Sequence, residues 1–144
     1  MSRGLTLIEV LLVVALLSVL VGAGVMGFLS QREAFEMSGE VNELFADLRY
    51  AKQLSITEQI HHGVEFDFEN NSYRVFRDNE ERETVKEKFL SLEMESVNNY
   101  SEVKFTRFGA VFRSGKIRLK SDNILRIIEI KPSGFFHEQR DDTN

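Results

Sequence analysis

The chain has 144 residues, with 18 basic and 23 acidic side chains, a formal net charge of −5 and no cysteine. Without cysteine there is no disulfide and no thiolate metal site, so the fold must rest on its core and its neighbours. A single proline, no internal repeat and no low-complexity stretch exclude a disordered chain or a long linker.

The chain opens Met1-Ser2-Arg3-Gly4, continues Leu5-Thr6-Leu7-Ile8-Glu9, and then carries no charge over residues 10–31. A carboxylate costs about 2.5–3.5 kcal/mol deep in a bilayer and less near the interface, so Glu9 at the mouth of this run calls for a role. One role is local. Thr6-x-x-Glu9 fits a capping box, and a negative charge in the first turn suits the helix dipole. Residues 10–29 give about 30 Å of helix at about 1.5 Å per residue, which predicts a single membrane span. An ordinary secretory signal competes, with Arg3 as its basic region and Val21-Gly22-Ala23 as a small-residue cleavage site. Against it, residues 10–20 run straight on with no polar cleavage region, and Glu9 is left without a purpose. A plain single-span anchor is the other competitor.

The block Arg3-Gly4-Leu5-Thr6-Leu7-Ile8-Glu9-Val10-Leu11-Leu12-Val13-Val14 resembles the class III signal of type IV prepilins and pseudopilins. The resemblance implies that a membrane-embedded prepilin peptidase cuts between Gly4 and Leu5, and that Leu5 is then N-methylated. It also implies that Glu9, fifth in the processed chain, guides subunit docking against the ammonium of a neighbouring Leu5. Leu5 stands where the family most often has Phe.

Gly22, Gly24 and Gly27 weaken a helix or let helices pack closely. Helices of the resembled family commonly loosen in this region. Met37, Val41, Leu44, Leu48 and Ala51 then follow at spacings of 4, 3, 4 and 3, one helical stripe, with Glu33, Glu36, Glu40, Glu43 and Asp47 mostly off it. The helix is expected to run to about residue 57 with its second half against a sheet.

From His61 the period becomes two. Val64, Phe66 and Phe68 alternate with Glu65 and Asp67, Glu69-Asn70-Asn71 turns, and Tyr73 and Val75 return. Asp78-Asn79-Glu80 turns again, and Leu90, Leu92 and Met94 alternate with Ser91, Glu93 and Glu95. Val103 and Phe105 begin a strand broken near Gly109, and Val111 and Phe112 lead to a Ser114-Gly115 turn. Ile117 and Leu119 alternate with Lys116, Arg118 and Lys120. Residues 125–130 are mostly apolar, Pro132-Ser133-Gly134 turns into Phe135-Phe136, and residues 140–144 form a polar tail. The predicted fold class is α+β: a long N-terminal helix packed on an antiparallel sheet or small β-sandwich of about seven or eight strands. The predicted divisions are a leader at 1–4, a transmembrane or filament-core helix at 5–29, the amphipathic half at 30–57 and a β domain at 58–144. The soluble part, roughly 110 residues, suits one small domain.

Leu48-Arg49-Tyr50-Ala51-Lys52 ahead of the first strand, and Phe105-Thr106-Arg107-Phe108-Gly109, resemble minor pseudopilins of the GspH and FimT class. Ser114-Gly115-Lys116-Ile117-Arg118-Leu119-Lys120, then Ile127-Ile128-Glu129-Ile130 and Gly134, are similar to the ComGD group of competence pseudopilins of Gram-positive bacteria. Relatives follow that glycine with a basic residue or valine, where this chain has Phe135-Phe136.

No catalytic constellation stands out. His61 and His62 are adjacent, so on a strand they point to opposite faces and are poorly placed to share a metal; exposed strand-edge histidines are expected. The serines lack a nucleophile-elbow context, and there is no phosphate-binding glycine loop. No cofactor or metal is expected. Asn70-Asn71-Ser72 and Asn99-Tyr100-Ser101 match glycosylation sequons, a pattern frequent by chance.

Residues 104–120 carry Lys104, Arg107, Arg113, Lys116, Arg118 and Lys120 and no acidic residue, with Phe105, Phe108 and Phe112 among them. Arg113, Lys116, Arg118 and Lys120 are candidate contacts to DNA phosphates or to another subunit; a solvated sheet face is the third reading. Residues 30–103 hold 17 acidic and 8 basic side chains, so a neighbour of that kind would complement the segment.

The resemblance implies a non-enzymatic minor pseudopilin of a competence pilus that takes up external DNA. Its implied partners are the prepilin peptidase, sister pseudopilins, a membrane assembly platform, lipid before assembly and, weakly, DNA. It would sit as a single-pass protein in the cell membrane and at the cell surface after assembly. The alternatives are a minor pseudopilin of a type II secretion system or a surface type IV pilus, a membrane-anchored DNA-binding receptor, and a secreted sandwich domain.

Overall fold

The computed structural model describes residues 6–121 and 124–140, with the side chains of residues 23–30 and 140 outside the described set. The chain begins with one helix, α1, Leu7–Glu58. Thr6 starts it: the Glu9 N–H donates to Thr6 O at 3.1 Å and to Thr6 Oγ1 at 3.4 Å, so one of the orphan donors of the first turn is satisfied. The backbone stays helical through Gly22, Gly24 and Gly27. Two compact units divide the chain, Met1–Glu36 and Met37–Asn144, and α1 contributes to both. That division falls a few residues beyond the start of the expected amphipathic half.

In the first unit the large apolar side chains of α1 that are described are exposed; Leu7 is 78% and Leu20 68% exposed. No helix among the described residues is long and apolar enough to cross a membrane. The expected span at 10–29 includes residues whose side chains lie outside the described set.

In the second unit α1 packs on two four-stranded antiparallel sheets. The first sheet has the order β3-β2-β1-β5, built from β1 His62–Asp67, β2 Ser72–Arg77, β3 Glu83–Phe89 and β5 Glu102–Phe105. The second has the order β4-β6-β7-β8, built from β4 Glu93–Val97, β6 Gly115–Lys120, β7 Leu125–Ile130 and β8 Phe136–Arg140. Strand β4 thus joins the second sheet before β5 returns to the first. The helical stripe of Met37, Val41, Leu44, Leu48 and Ala51 is buried in one core with Val64, Phe66, Tyr73 and Val75 of the first sheet and Met94, Ile117, Leu119, Ile128 and Ile130 of the second. Every stripe residue predicted from the 3.6-residue period is at most 2% exposed.

Three features depart from the sequence reading. Strand β3, exposed along almost its whole length, carries Glu83, Lys86, Glu87 and Lys88. It forms because its backbone pairs with β2, with a bulge opposite Val75/Phe76. The expected strand over residues 90–95 starts only at Glu93, and Leu90 and Leu92 are buried in the crossing between sheets. Asp47 lies on the packed side of α1, 6% exposed, where it accepts from the Tyr73 hydroxyl at 2.8 Å and from Lys86 Nζ at 2.8 Å. A buried carboxylate is tolerable only with such partners. Burial, with the Asp47 bond second, pushes the Tyr73 phenol far above its ordinary pKa.

Candidate assembly surfaces

At the N-terminus, Gly4 and Leu5 lie outside the described residues. Glu9 is on the first turn of α1 and exposed, and its carboxylate has no hydrogen-bond or ion-pair partner among the described residues. Apolar side chains left exposed along a helix suit a bilayer or a helix bundle.

The candidate basic residues separate into two groups. Along β6, Lys116 Nζ lies 3.6 Å from Glu129 on β7, Arg118 3.0 Å from Glu95 on β4, and Lys120 3.4 Å from Glu93. The register makes these cross-strand pairs: Lys116 is opposite Glu129, Arg118 opposite Glu95 and Lys120 opposite Glu93. The positive row visible in the sequence is therefore interleaved with carboxylates in space, which removes most of its field. The Arg118 Nε is buried without a hydrogen-bond partner, so this side chain lies along the sheet. Arg113 differs. It is exposed at the start of the turn before β6 and has no ion pair among the described residues; its carbonyl accepts from the Tyr100 hydroxyl at 3.0 Å. The Tyr100 ring lies where a Cβ on Gly115 would be, which is why a glycine stands there.

Residues singled out from three distant segments meet at one point. Lys52 Nζ donates to Gly134 O at 3.0 Å, and a Cβ on Gly134 would overlap the Gly109 carbonyl oxygen. Gly109 and Gly134 have φ of 81° and 71°, the left-handed region that favours glycine. The turn at 106–109 and the turn at 131–134 thus dock on α1 through Lys52. Nothing in the sequence pattern predicts that contact.

The histidines need a correction. His62 is fully buried and not at an exposed edge. Its Nδ1 donates to Ile60 O at 3.0 Å, and its Nε2 accepts from Arg77 Nε at 3.4 Å with Glu58 Oε2 3.3 Å away. Arg77 in turn holds Glu58 at 2.6 Å, so the cluster ties the end of α1 to β1 and β2. His61 is half-buried, donating from Nδ1 to Phe105 O at 3.2 Å and resting edge-on against Phe112. Among the described residues no group of His, Asp and Glu is placed to hold a metal ion.

No protein-family profile matches the chain, and no curated protein matches it. Solved structures do. The type IV minor pilin FimU of Pseudomonas aeruginosa is similar at 13% identity, with 74% of this chain and 90% of that chain covered and a TM-score of 0.62. A second crystal form of FimU gives 11% identity, 71% and 91% coverage and a TM-score of 0.59. The minor pseudopilin EpsH from the Type 2 Secretion System of Vibrio cholerae is similar at 10% identity, with 74% and 98% covered and a TM-score of 0.61. The fold is that of the minor pilins and pseudopilins. At these identities the likeness is one of architecture, a helix laid on two small antiparallel sheets.

Proposed function

We propose that this chain is a non-enzymatic, minor pilin-like subunit of a filament-building machine of the type IV pilus or type II secretion kind. The observation that carries the proposal is a conjunction: one chain has both the fold and, at its start, the Gly4-Leu5-Thr6-Leu7-Ile8-Glu9 block with an uncharged helix behind it. In this reading the peptidase removes Met1 to Gly4, Leu5 becomes the methylated terminus, and the apolar half of α1 moves from lipid to a bundle of sister helices. Without water, that packing rests on close van der Waals contact and on polar pairs such as Glu9 with a neighbour's ammonium. The partners are the prepilin peptidase, sister pilins and a membrane assembly platform, and the place is the cell envelope.

A competence pilus for DNA uptake is a second reading, supported by the text of β6, β7 and Gly134. The structural neighbours named above belong to a pilus and a secretion system, so the broader reading stands first. The charge pairing along β6 supports the solvated sheet face over a DNA contact for Lys116, Arg118 and Lys120, and leaves Arg113 as the freest of the four.

Intact-mass measurement after coexpression with a prepilin peptidase tests the proposal. The expected product starts at Leu5 and carries one methyl. A product starting at Gly24, or an uncut chain, would overturn it. Glu9→Gln separates docking from capping: cleavage should be normal while cross-linking to sister pilins is lost, whereas a merely capping Glu9 would leave cross-linking intact.

A further inference from the structure

One end of the β domain gathers the cations that have no carboxylate. Most described Lys and Arg side chains pair with an Asp or Glu, as Arg77 does with Glu58 and Arg126 with Glu138. Arg49, Lys52, Arg107, Arg113 and Lys131 have no carboxylate partner among the described residues. They come from three distant segments, yet the fold brings them together. Val111 N–H donates to Pro132 O at 3.0 Å, which sets the turn carrying Arg107 beside the turn carrying Lys131. Lys52 reaches Gly134 O from α1, and Arg49, one turn earlier, lies over the Phe136 ring, 5.8 Å from its centroid. Arg113 follows Phe112, whose N–H donates to Lys104 O at 3.0 Å at the base of the first turn.

The same end exposes three aromatic side chains. Phe108 is 91%, Phe112 60% and Phe135 59% exposed. The turns that carry them are braced: Gly109 N–H donates to Thr106 O at 2.9 Å and Gly134 N–H to Lys131 O at 2.9 Å. Phe112 rests edge-on against His61, and Phe135 stacks on His137. The carboxylates that reach this end are already paired, Asp78 with Lys104 and Glu129 with Lys116. Braced aromatics among arginines are the composition of interface hot spots, and side chains already held in place lose little entropy on binding.

We propose that this end docks a different subunit of the same assembly, one that presents carboxylates around an apolar patch. The proposal rests on the assembly reading above and names the surface and the partner's chemistry. Burial of the three rings would remove about 300–500 Å² from water on this side, a large part of the roughly 800 Å² per partner of a specific interface. The arginines suit a carboxylate partner because their planar forks pair bidentately. A second copy of this chain does not fit: Phe66 and Tyr73, the aromatics beside its free Glu69 and Glu87, are buried and offer no apolar seat. A nucleic acid fits less well, because the chain as a whole carries −5 and repels a polyanion at a distance. A neighbour held by helix packing instead arrives at high effective concentration.

Site-specific photo-cross-linking tests this. The full chain is expressed in cells that carry the sister subunits, with photoreactive benzoylphenylalanine in place of Phe108, and the cross-linked peptide is sequenced by mass spectrometry. The expected adduct is a peptide of a different subunit that has its own leader glycine and Glu block, and the peptide contains Asp or Glu. Arg107→Glu with Lys131→Glu should lower its yield about tenfold, and Arg107→Lys with Lys131→Arg should leave it within about twofold. Lys substitution of the partner carboxylates found in the adduct should restore the reversed variant, which lost folding would not allow. The same probe at Phe89, exposed on β3, should not give this adduct. Equal adducts from both positions would overturn the proposal, as would no adduct or a yield indifferent to charge reversal. An adduct on a second copy, on phospholipid or on nucleic acid would also overturn it. Leader processing is read separately by intact mass: an uncut chain overturns the assembly reading, while a correctly cut chain without the adduct overturns only this contact.

Discussion

The two halves of α1 are built for different surroundings. From Met37 onward the helix shows one apolar stripe, and two sheets of its own chain bury it completely. Before Glu36 the large apolar side chains that are described are exposed. One half is finished by folding. On the function proposed above the other is finished by lipid or by neighbouring subunits, so a change of the same kind should read out as stability in one half and as assembly in the other.

The largest effect should come from Leu44→Ala. It opens a cavity at a fully buried position and should cost about 2–5 kcal/mol in denaturant unfolding of the chain in detergent. Leu12→Ala should change unfolding by less than about 0.5 kcal/mol, since its side chain is exposed, and should instead reduce filament incorporation. Equal losses in unfolding would break the comparison. Next comes Gly134→Ala, which forces a Cβ onto the Gly109 carbonyl at a left-handed φ and should cost about 1–3 kcal/mol. Gly39→Ala meets nothing within 4 Å and should stabilise the helix by about 0.5–1 kcal/mol in the same assay.

Alkaline pH sharpens the comparison further. Burial raises the pKa of both Tyr73 and Tyr100 above the ordinary value of 10.0. The folded domain keeps both phenols neutral while the unfolded chain loses those protons from about pH 10. Stability should hold steady below pH 10 and then fall with rising pH, by at most about 1.4 kcal/mol per pH unit for each tyrosine. Urea midpoints across that range check it, and Tyr100→Phe should make the slope shallower. The smallest effect belongs to Lys116→Ala, Arg118→Ala and Lys120→Ala. Each removes a half-exposed cross-strand pair and should change unfolding by about 0–1 kcal/mol, less at high salt.

Where side-chain period and burial coincide, the structure was legible in advance. The stripe from Met37 to Ala51 and the alternation in β1, β2 and β6 are cases of this, because one face of each element meets the core. Strand β3 carries no such alternation; only its backbone ladder to β2 makes it a strand, and a backbone leaves no mark on residue choice. Asp47 and His62 were misjudged for a related reason. Each is buried because of partners far along the chain, Tyr73 and Lys86 for one and Arg77 for the other, and one-dimensional patterning cannot see them. The basic row of β6 misled in the opposite way: its charges are genuine, but the carboxylates that offset them arrive from β4 and β7.

The Lys52 bond to Gly134 joins residues 82 positions apart. Contacts that distant form only after most of the chain exists, and topologies rich in them fold slowly. A ribosome would deliver the apolar helix first, then the stripe that needs covering, and the last three strands of its cover at the very end. For that interval the stripe has no lid. On the function proposed above, insertion of the apolar segment can then run ahead of folding, and chaperone capture of the uncovered stripe fits that interval.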